Sequence, residues 1–516
     1  MKFKSIVLII SFSIILFSCT KLEEKFNGDL TPSQLGGKSG SSADALLSSV
    51  YSSMQVTYQD QANIFALAEM STDEFLAPTR GPDWDDNGVW RVLHAHKWDG
   101  DNIRIRDAFN TLGGTIFAAT DLLQYNPSAQ QAAEARFLRA FSMFNMLDGW
   151  NQVPYREPGE SVITAAKVRT GSEALDYIIS ELTAIMNDLP DAPPVYKANK
   201  DAARVLLMKC YLNKGVIANR QTPAFDAADM QQVITLADQI INSGKYALNT
   251  NYFDNFAPSN GSLSTENIFT FQRIGGISSG GGGNTVNSRW HSTMHYNQKP
   301  SGWNGFTSLS DFYDKFDTTD QRRGVAYNTG LPNPGNRVNV GFLVGQQYDL
   351  QVDTALKDRT GAPLAFTREV KSIETGTNLE ITGIRAFKYP IDYTNDGSNN
   401  VENDFVYYRY SDVLLMKAEA LLRTNGDAAT AIALVNQVRT TRGASPFTAL
   451  TLDNLLDERG RELYLESLRR QDLIRFGKFL LPMQEKEGTD DPKYLLFTIP
   501  NQQLAVNPNL KQNPGY

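Results

Sequence analysis

The sequence predicts a mainly α protein, in which helical hairpins form a scaffold that carries an irregular, loop-rich face with a few short strands. Two observations predict this. Apolar residues recur at spacings of three and four in the first half and again near the C-terminus, as amphipathic helices require. The stretch between them turns to Gly, Asn, Pro and Thr with only short apolar runs.

The chain opens with Lys2 and Lys4, then an apolar run over 6–17 interrupted by Ser11 and Ser13. A positive start followed by about twelve apolar residues suits a secretory signal and is too short for a membrane-spanning helix of roughly 20 residues. Leu16, Phe17 and Ser18 directly before Cys19 resemble the bacterial lipobox, although Phe17 is bulkier than that motif usually carries. The resemblance implies acylation of Cys19, with palmitate as the attached chain, and a protein held on a membrane by lipid alone. Residues 1–18 are therefore expected to be the signal peptide and 19–40 a lipidated flexible linker, polar and rich in Gly, Ser and Lys. Lys21, Glu23 and Glu24 in that linker resemble the charged signal that sorts Bacteroidetes lipoproteins to the outer surface.

The chain has 516 residues and only two cysteines, so with Cys19 acylated, Cys210 has no disulfide partner. It lies in an apolar helical stretch and is expected to be a buried, inert thiol. The net charge is −8, and removal of Lys2 and Lys4 with the signal takes it to −10, which argues against nucleic acid as a partner.

Helices are predicted over 131–149, with Phe137, Phe141, Phe144 and Leu147 on one stripe, and over 172–189 behind a Thr170–Glu173 capping box. Two more fit 201–214 and 227–243, the latter closed by Gly244. Residues 41–245 thus read as an N-terminal helical region. In 246–516 the loop-rich middle, 246–408, holds candidate strands such as the run Asn267, Ile268, Phe269, Thr270, Phe271 and the glycine loop Gly280 to Gly283. That loop is not followed by Gly-Lys-Ser/Thr and reads as a surface loop, not a phosphate cradle. Helices return over 411–424 and 428–441, joined by Asn425, Gly426 and Asp427 into a hairpin about one tetratricopeptide unit long. A last helix is expected over about 453–478, within a C-terminal helical stretch 409–480 that precedes the tail. The two regions are expected to pack as one unit, since single hairpins cannot bury their faces alone.

Several blocks carry a family resemblance. They are Glu134-Ala135-Arg136-Phe137-Leu138-Arg139-Ala140 with Trp150 and Val153-Pro154; the run from Tyr408 to Ala420; Asn436-Gln437-Val438-Arg439 with Glu458 to Leu463 and Arg469 to Leu473; and the tail from Asn507 to Tyr516. Together with the lipobox they resemble the SusD/RagB family of nutrient-binding surface lipoproteins. The resemblance implies a tetratricopeptide-like scaffold and a non-catalytic lid on a SusC-like TonB-dependent transporter of the outer membrane, catching a glycan ligand. Some relatives are thought to take peptides, so oligopeptide capture on the same scaffold is the alternative.

Trp84, Trp90 and Trp98 stand among Asp73, Asp83, Asp85, Asp86, Asp99 and Asp101, a mixture that suits sugar binding, because an indole covers the apolar face of a pyranose while carboxylates accept from its hydroxyls. The competing reading is that these indoles are core. A second cluster, Trp290, His291, Tyr296, Trp303 and Asn304, follows the glycine loop, where exposed aromatics ask for a partner. The expected ligand residues are Trp84, Asp85, Trp98, Tyr296, Trp303 and Asn304. All four histidines fall in these clusters, as His94/His96 and His291/His295; both spacings could chelate zinc, but hydrogen-bonded structural roles are the expectation, and no metal or cofactor is assigned. The loop Asp392 to Asn400 starts like a calcium loop but has Asn403 at the position of the bidentate glutamate, so an Asx-turn is the better reading. The arginine-rich stretch 458–475, with Glu458, Glu462 and Glu466 at helical spacing, reads as a solvated face of internal ion pairs. A glycosidase needs only two well-placed carboxylates, so hydrolysis is a third, weaker class.

Overall fold

The computed structural model describes residues 40–80, 86–276, 285–328, 331, 335–398 and 400–516. The signal peptide, Cys19, the linker up to residue 39 and the glycine loop lie outside the described residues.

The first helices are α1 (Gly40–Tyr58), α2 (Asn63–Glu69), α3 (Ile103–Leu122) and α4 (Ala129–Trp150). They are followed by α5 (Gly171–Ile185), α6 (Lys200–Leu212) and α7 (Ala227–Asn242). After the loop-rich middle come α8 (Tyr410–Arg423), α9 (Ala428–Thr441), α10 (Leu452–Leu463) and α11 (Arg469–Arg475). Their starts follow from side chains that satisfy the first free N–H groups. Asn102 caps α3, Asn199 caps α6, Asp226 caps α7 and Asp427 caps α9, while Ser128 and Gln131 form a reciprocal capping box on α4. The box expected at Thr170 does not form: Thr170 makes no side-chain cap, and Glu173 is drawn instead to the guanidinium of Arg169.

Neighbouring helices stack in sequence. α3 packs on α1 and α4, α4 on α5, α6 on α7, α7 on α8, and α8 on α9 and α10. The stripe Phe137, Phe141, Phe144 and Leu147 is buried as its period predicts, each such side chain contributing about 1.5–3 kcal/mol. One hydrophobic core runs from Leu47 to Leu510 and takes in both the helical region and the middle. Cys210 is fully buried in it, and burial pushes its thiol pKa up.

Strands in the middle are short. Asn267–Phe271 pairs antiparallel with Phe405–Arg409, with register shifts beside Tyr408, and leads straight into α8. Phe75–Leu76 pairs with Thr307–Ser308, and Val340–Leu343 lies between Arg385–Phe387 and Gly324–Val325. These small sheets hold loops against the helical stack.

The arginine-rich stretch departs from its expected solvated state. Glu458 and Glu462 are 0 % exposed, and Arg459, Arg461, Arg469 and Arg470 are buried with them. The Glu462 carboxylate accepts from Arg322 at 3.0 Å, Arg409 at 2.7 Å and Arg442 at 2.9 Å. Arg322 also binds Asp320 and Glu458, each at 2.7 Å, and Arg442 binds Glu266 at 2.7 Å. Glu466 takes Arg409 at 2.7 Å and Lys388 at 2.5 Å. Burial alone raises a carboxylate's pKa, but here Arg442, Arg409 and Arg322 outweigh it and hold Glu462 well below the usual range. Sequence periodicity could not show this, because most of the partners come from remote segments of the chain.

The single helix expected over 453–478 is likewise two, broken where Leu465 and Ser467 adopt φ of 56° and 63°. Glu74 accepts from the Leu465 N–H at 3.1 Å and Glu69 from that of Ser467 at 2.5 Å. Burial raises the pKa of both carboxyls, Glu69 to about 7, and the neighbouring Glu69 charge raises Glu74 further. This turn places Glu466 against Lys388 and Arg409.

Removing one member of such a network strands its partners in the interior. Glu462→Ala is expected to lower unfolding free energy by about 3–5 kcal/mol in urea denaturation. Asp453→Ala, which breaks the exposed pair with Lys478, is expected to change it by less than about 1 kcal/mol. Equal losses in the two variants would contradict the network's role.

Candidate ligand-binding face

The loop from Ser292 to Gly305 follows a single helical turn, Ser288–His291, and folds back on it. The Trp303 N–H donates to the His291 carbonyl at 2.6 Å, Gly302 to the His295 carbonyl at 3.1 Å and Asn304 to the Met294 carbonyl at 2.8 Å. Only glycine fits at 302, where a Cβ would stand 2.1 Å from the Met294 carbonyl oxygen. The closure lays the half-buried Trp303 indole against the His291 imidazole, with centroids 5.8 Å apart and planes at 22°. His291 is anchored from behind, its Nδ1 at 2.8 Å from the Ser301 carbonyl and its Nε2 at 2.9 Å from Asp396. Asp396 also accepts from Trp290 Nε1 at 3.0 Å. Burial pulls the His291 pKa down, but the bond and charge of Asp396 and the Ser301 carbonyl outweigh it, and the net shift is upward.

Tyr296, half-buried, carries the Arg359 guanidinium 4.2 Å over its ring. Arg359 is fixed by Glu380, which also receives His295 Nε2 at 2.9 Å. The same loop forms one wall of a neighbouring cleft of about 890 Å³, including its open mouth, lined among others by Lys299, Tyr313, Arg337, Gln346, Tyr348 and Tyr393. Arg337 lies 4.0 Å over the Tyr348 ring. Sequence reasoning missed these tyrosines because they come from separate segments and share no local motif.

The other expected ligand residues fall elsewhere. Trp98 is 3 % exposed, donates to the Tyr516 hydroxyl at 2.6 Å and packs against His96, Tyr494 and Phe497. It is core, stitching the N-terminal region to the C-terminal tail. Asn304 is fully buried with φ of 55°; its side chain accepts from Arg385 at 2.8 Å and its carbonyl from Arg80 at 3.2 Å, so it shapes the loop from inside. Trp90 is buried and donates to Asp86 at 2.7 Å. Trp84 and Asp85 lie outside the described residues. Of the expected residues that are described, the structure brings Tyr296 and Trp303 to one exposed loop.

The histidines are held by hydrogen bonds. His94 Nε2 meets the Gln484 carbonyl at 2.9 Å, and burial lowers its pKa to about 4. His96 lies between Asp490 and the Ser71 carbonyl, each at 2.8 Å. Among the described residues, His, Cys, Asp and Glu nowhere group in threes suited to a metal ion. In the loop that starts like a calcium site, the Asp392 carboxylate is occupied by the N–H groups of Thr394, Asn395 and Glu402, an Asx-turn that leaves it turned inward.

A sequence model of the SusD family matches residues 242–516. The chain belongs to the SusD family. Among curated SusD relatives, the starch-binding protein SusD of Bacteroides thetaiotaomicron is 26 % identical over 492 residues, covering 88 % of this chain and 85 % of the relative. SusD-like protein P2 of Formosa agariphila is 24 % identical, covering 75 % of this chain and 74 % of that one. Solved structures share the fold: a SusD superfamily protein from Parabacteroides distasonis superposes with a TM-score of 0.72 at 20 % identity, covering 92 % of this chain and 99 % of that one. Surface glycan-binding protein A from B. thetaiotaomicron, solved with laminarihexaose, gives 0.68 at 18 % identity with the same coverages. The mainly α scaffold with small scattered sheets is thus the SusD architecture, as the sequence predicts.

The two tryptophans separate in a denaturation experiment. Trp98→Ala is expected to lose about 3–5 kcal/mol of stability as a core truncation. Trp303→Ala is expected to lose no more than about 1 kcal/mol. A larger loss for Trp303→Ala than for Trp98→Ala would reverse their assignment to face and core.

Proposed function

We propose that this SusD-family chain binds an oligosaccharide or polysaccharide at the cell surface without cleaving it and delivers it to a partner TonB-dependent transporter. The observation that carries the reading is the Trp303 indole, backed by His291, with Tyr296 on the same loop, which the scaffold holds in place. Flat, partly exposed rings beside polar groups suit the C–H face and the hydroxyls of a sugar. The names of the relatives support the same class: one is starch-binding, and structural neighbours are described as a laminarin-binding SusD-like protein and a glycan-binding protein with laminarihexaose. A carrier that must hand its ligand on is served by fast release, hence by modest affinity at each site.

Affinity electrophoresis through gels of starch, laminarin and other polysaccharides tests this. Retardation on at least one glycan is expected, and Trp303→Ala and Tyr296→Ala are each expected to weaken it by about tenfold or more. Unretarded migration on every glycan, with oligopeptide binding by calorimetry, would transfer the assignment to peptide capture. New reducing ends released by the purified protein would make it a hydrolase.

In the same reading, lipid on Cys19 tethers the binder to the outer membrane, facing the exterior, with Lys21, Glu23 and Glu24 as the sorting signal. Among the described residues no helix is long and apolar enough to cross a membrane. Metabolic labelling with a palmitate probe is expected to mark the wild type and leave Cys19→Ser unmarked; equal labelling of both would remove the tether.

A further inference from the structure

His291, which ends the short helical turn, and His295, on the loop that follows, each meet a carboxylate through Nε2, yet their second nitrogens differ. His295 Nδ1 accepts the Asn297 N–H at 3.1 Å, so a neutral imidazole that donates from Nε2 to Glu380 satisfies both contacts. His291 faces an acceptor on each side, the Ser301 carbonyl at 2.8 Å and Asp396 at 2.9 Å. Only the imidazolium, with two N–H donors, satisfies both; a neutral ring turns a lone pair toward one of the two oxygens. The ring is also the surface on which Trp303 rests, and Asp396 belongs to a different loop, which it shares with Tyr393 of the neighbouring cleft.

Resting on the reading of Trp303 as the ligand platform, we propose that His291 is a positioning residue whose doubly protonated ring clamps the Trp303 loop to the Asp396 loop, so that the binding face is assembled while the ring holds both protons and loosens when it loses one. The groups around it agree. From its own segment come Trp290, the Ser301 carbonyl and Trp303, and from the facing loop comes Asp396, the carboxylate within ion-pair distance of it among the described residues. The upward shift of His291 sets the sign: the folded state holds the proton more tightly than the unfolded chain, so the clamp is complete below the ordinary value of 6.5 and is lost as pH rises through the raised one.

The experiment reads the platform directly. Tryptophan emission of the full chain is titrated from about pH 5 to about pH 9.5, across the range in which histidines titrate, and the signal of Trp303→Phe is subtracted to isolate Trp303 from Trp98, which touches His96. The difference signal is expected to show one transition above the ordinary value of 6.5. Asp396→Asn is expected to move it down by about one pH unit or more, and His291→Gln to abolish it. A transition unmoved by both variants, or a flat difference signal, overturns the proposal, with helical circular dichroism confirming that each variant is folded. In a second arm, affinity for laminarin or starch is expected to fall about fivefold across the transition in the wild type and to stay level in His291→Gln. Should neither glycan bind, the fluorescence arm still decides the clamp, so its failure and that of the glycan reading are distinguishable.

Discussion

Glu462 receives three guanidinium groups in the interior of the molecule, and the arrangement of the chain turns on that contact. Arg322 comes from the loop-rich middle, Arg409 from the end of a strand, Arg442 from the end of α9 and Glu462 from α10. Charges taken this far from water are tolerable only when each is matched and hydrogen-bonded, so the network admits few alternative arrangements of the segments that supply it. Apolar packing builds the helical stack; the ions decide how the irregular middle sits on it.

That division of labour explains how a face made of loops can be well defined. Short strands such as Thr307–Ser308 cannot hold a loop by themselves. The segment before Trp303–Gly305 is tied to Asp396 through His291 and Trp290, and the segment after it to Phe75–Leu76 through strand pairing. Behind Phe75 stands Glu74, which accepts from the Leu465 N–H and so grips the turn that delivers Glu466 to Lys388 and Arg409. A continuous set of contacts therefore runs from the ionic core to the aromatic platform, and precise placement of ring surfaces is what a stacking site needs.

Aromatic side chains do two jobs here that composition does not separate. Trp98, Trp150 and Trp290 fill the interior, whereas Trp303 and Tyr296 keep part of their rings in water. The buried ones close contacts between distant parts of the chain, as Trp98 does with Tyr516. A tryptophan among aspartates is compatible with either role, because an indole brings both a large apolar area and an N–H that asks for an acceptor.

By itself the sequence determined the helices, since periodicity is local: the stripe on α4, the hairpin of α8 and α9, and the family blocks that lie along them. It also marked the loop of Tyr296 and Trp303 as a place for exposed rings. Tertiary structure alone decided which indoles are core, that the acidic and basic residues of 458–475 face inward, and that the last helix breaks at Leu465 to Ser467. Each of those outcomes depends on partners far away in sequence, Tyr516 for Trp98, Arg322 for Glu462, Glu69 and Glu74 for the broken turn. A buried charge is stable only with such a partner in place, and a one-dimensional pattern does not say where in space that partner stands.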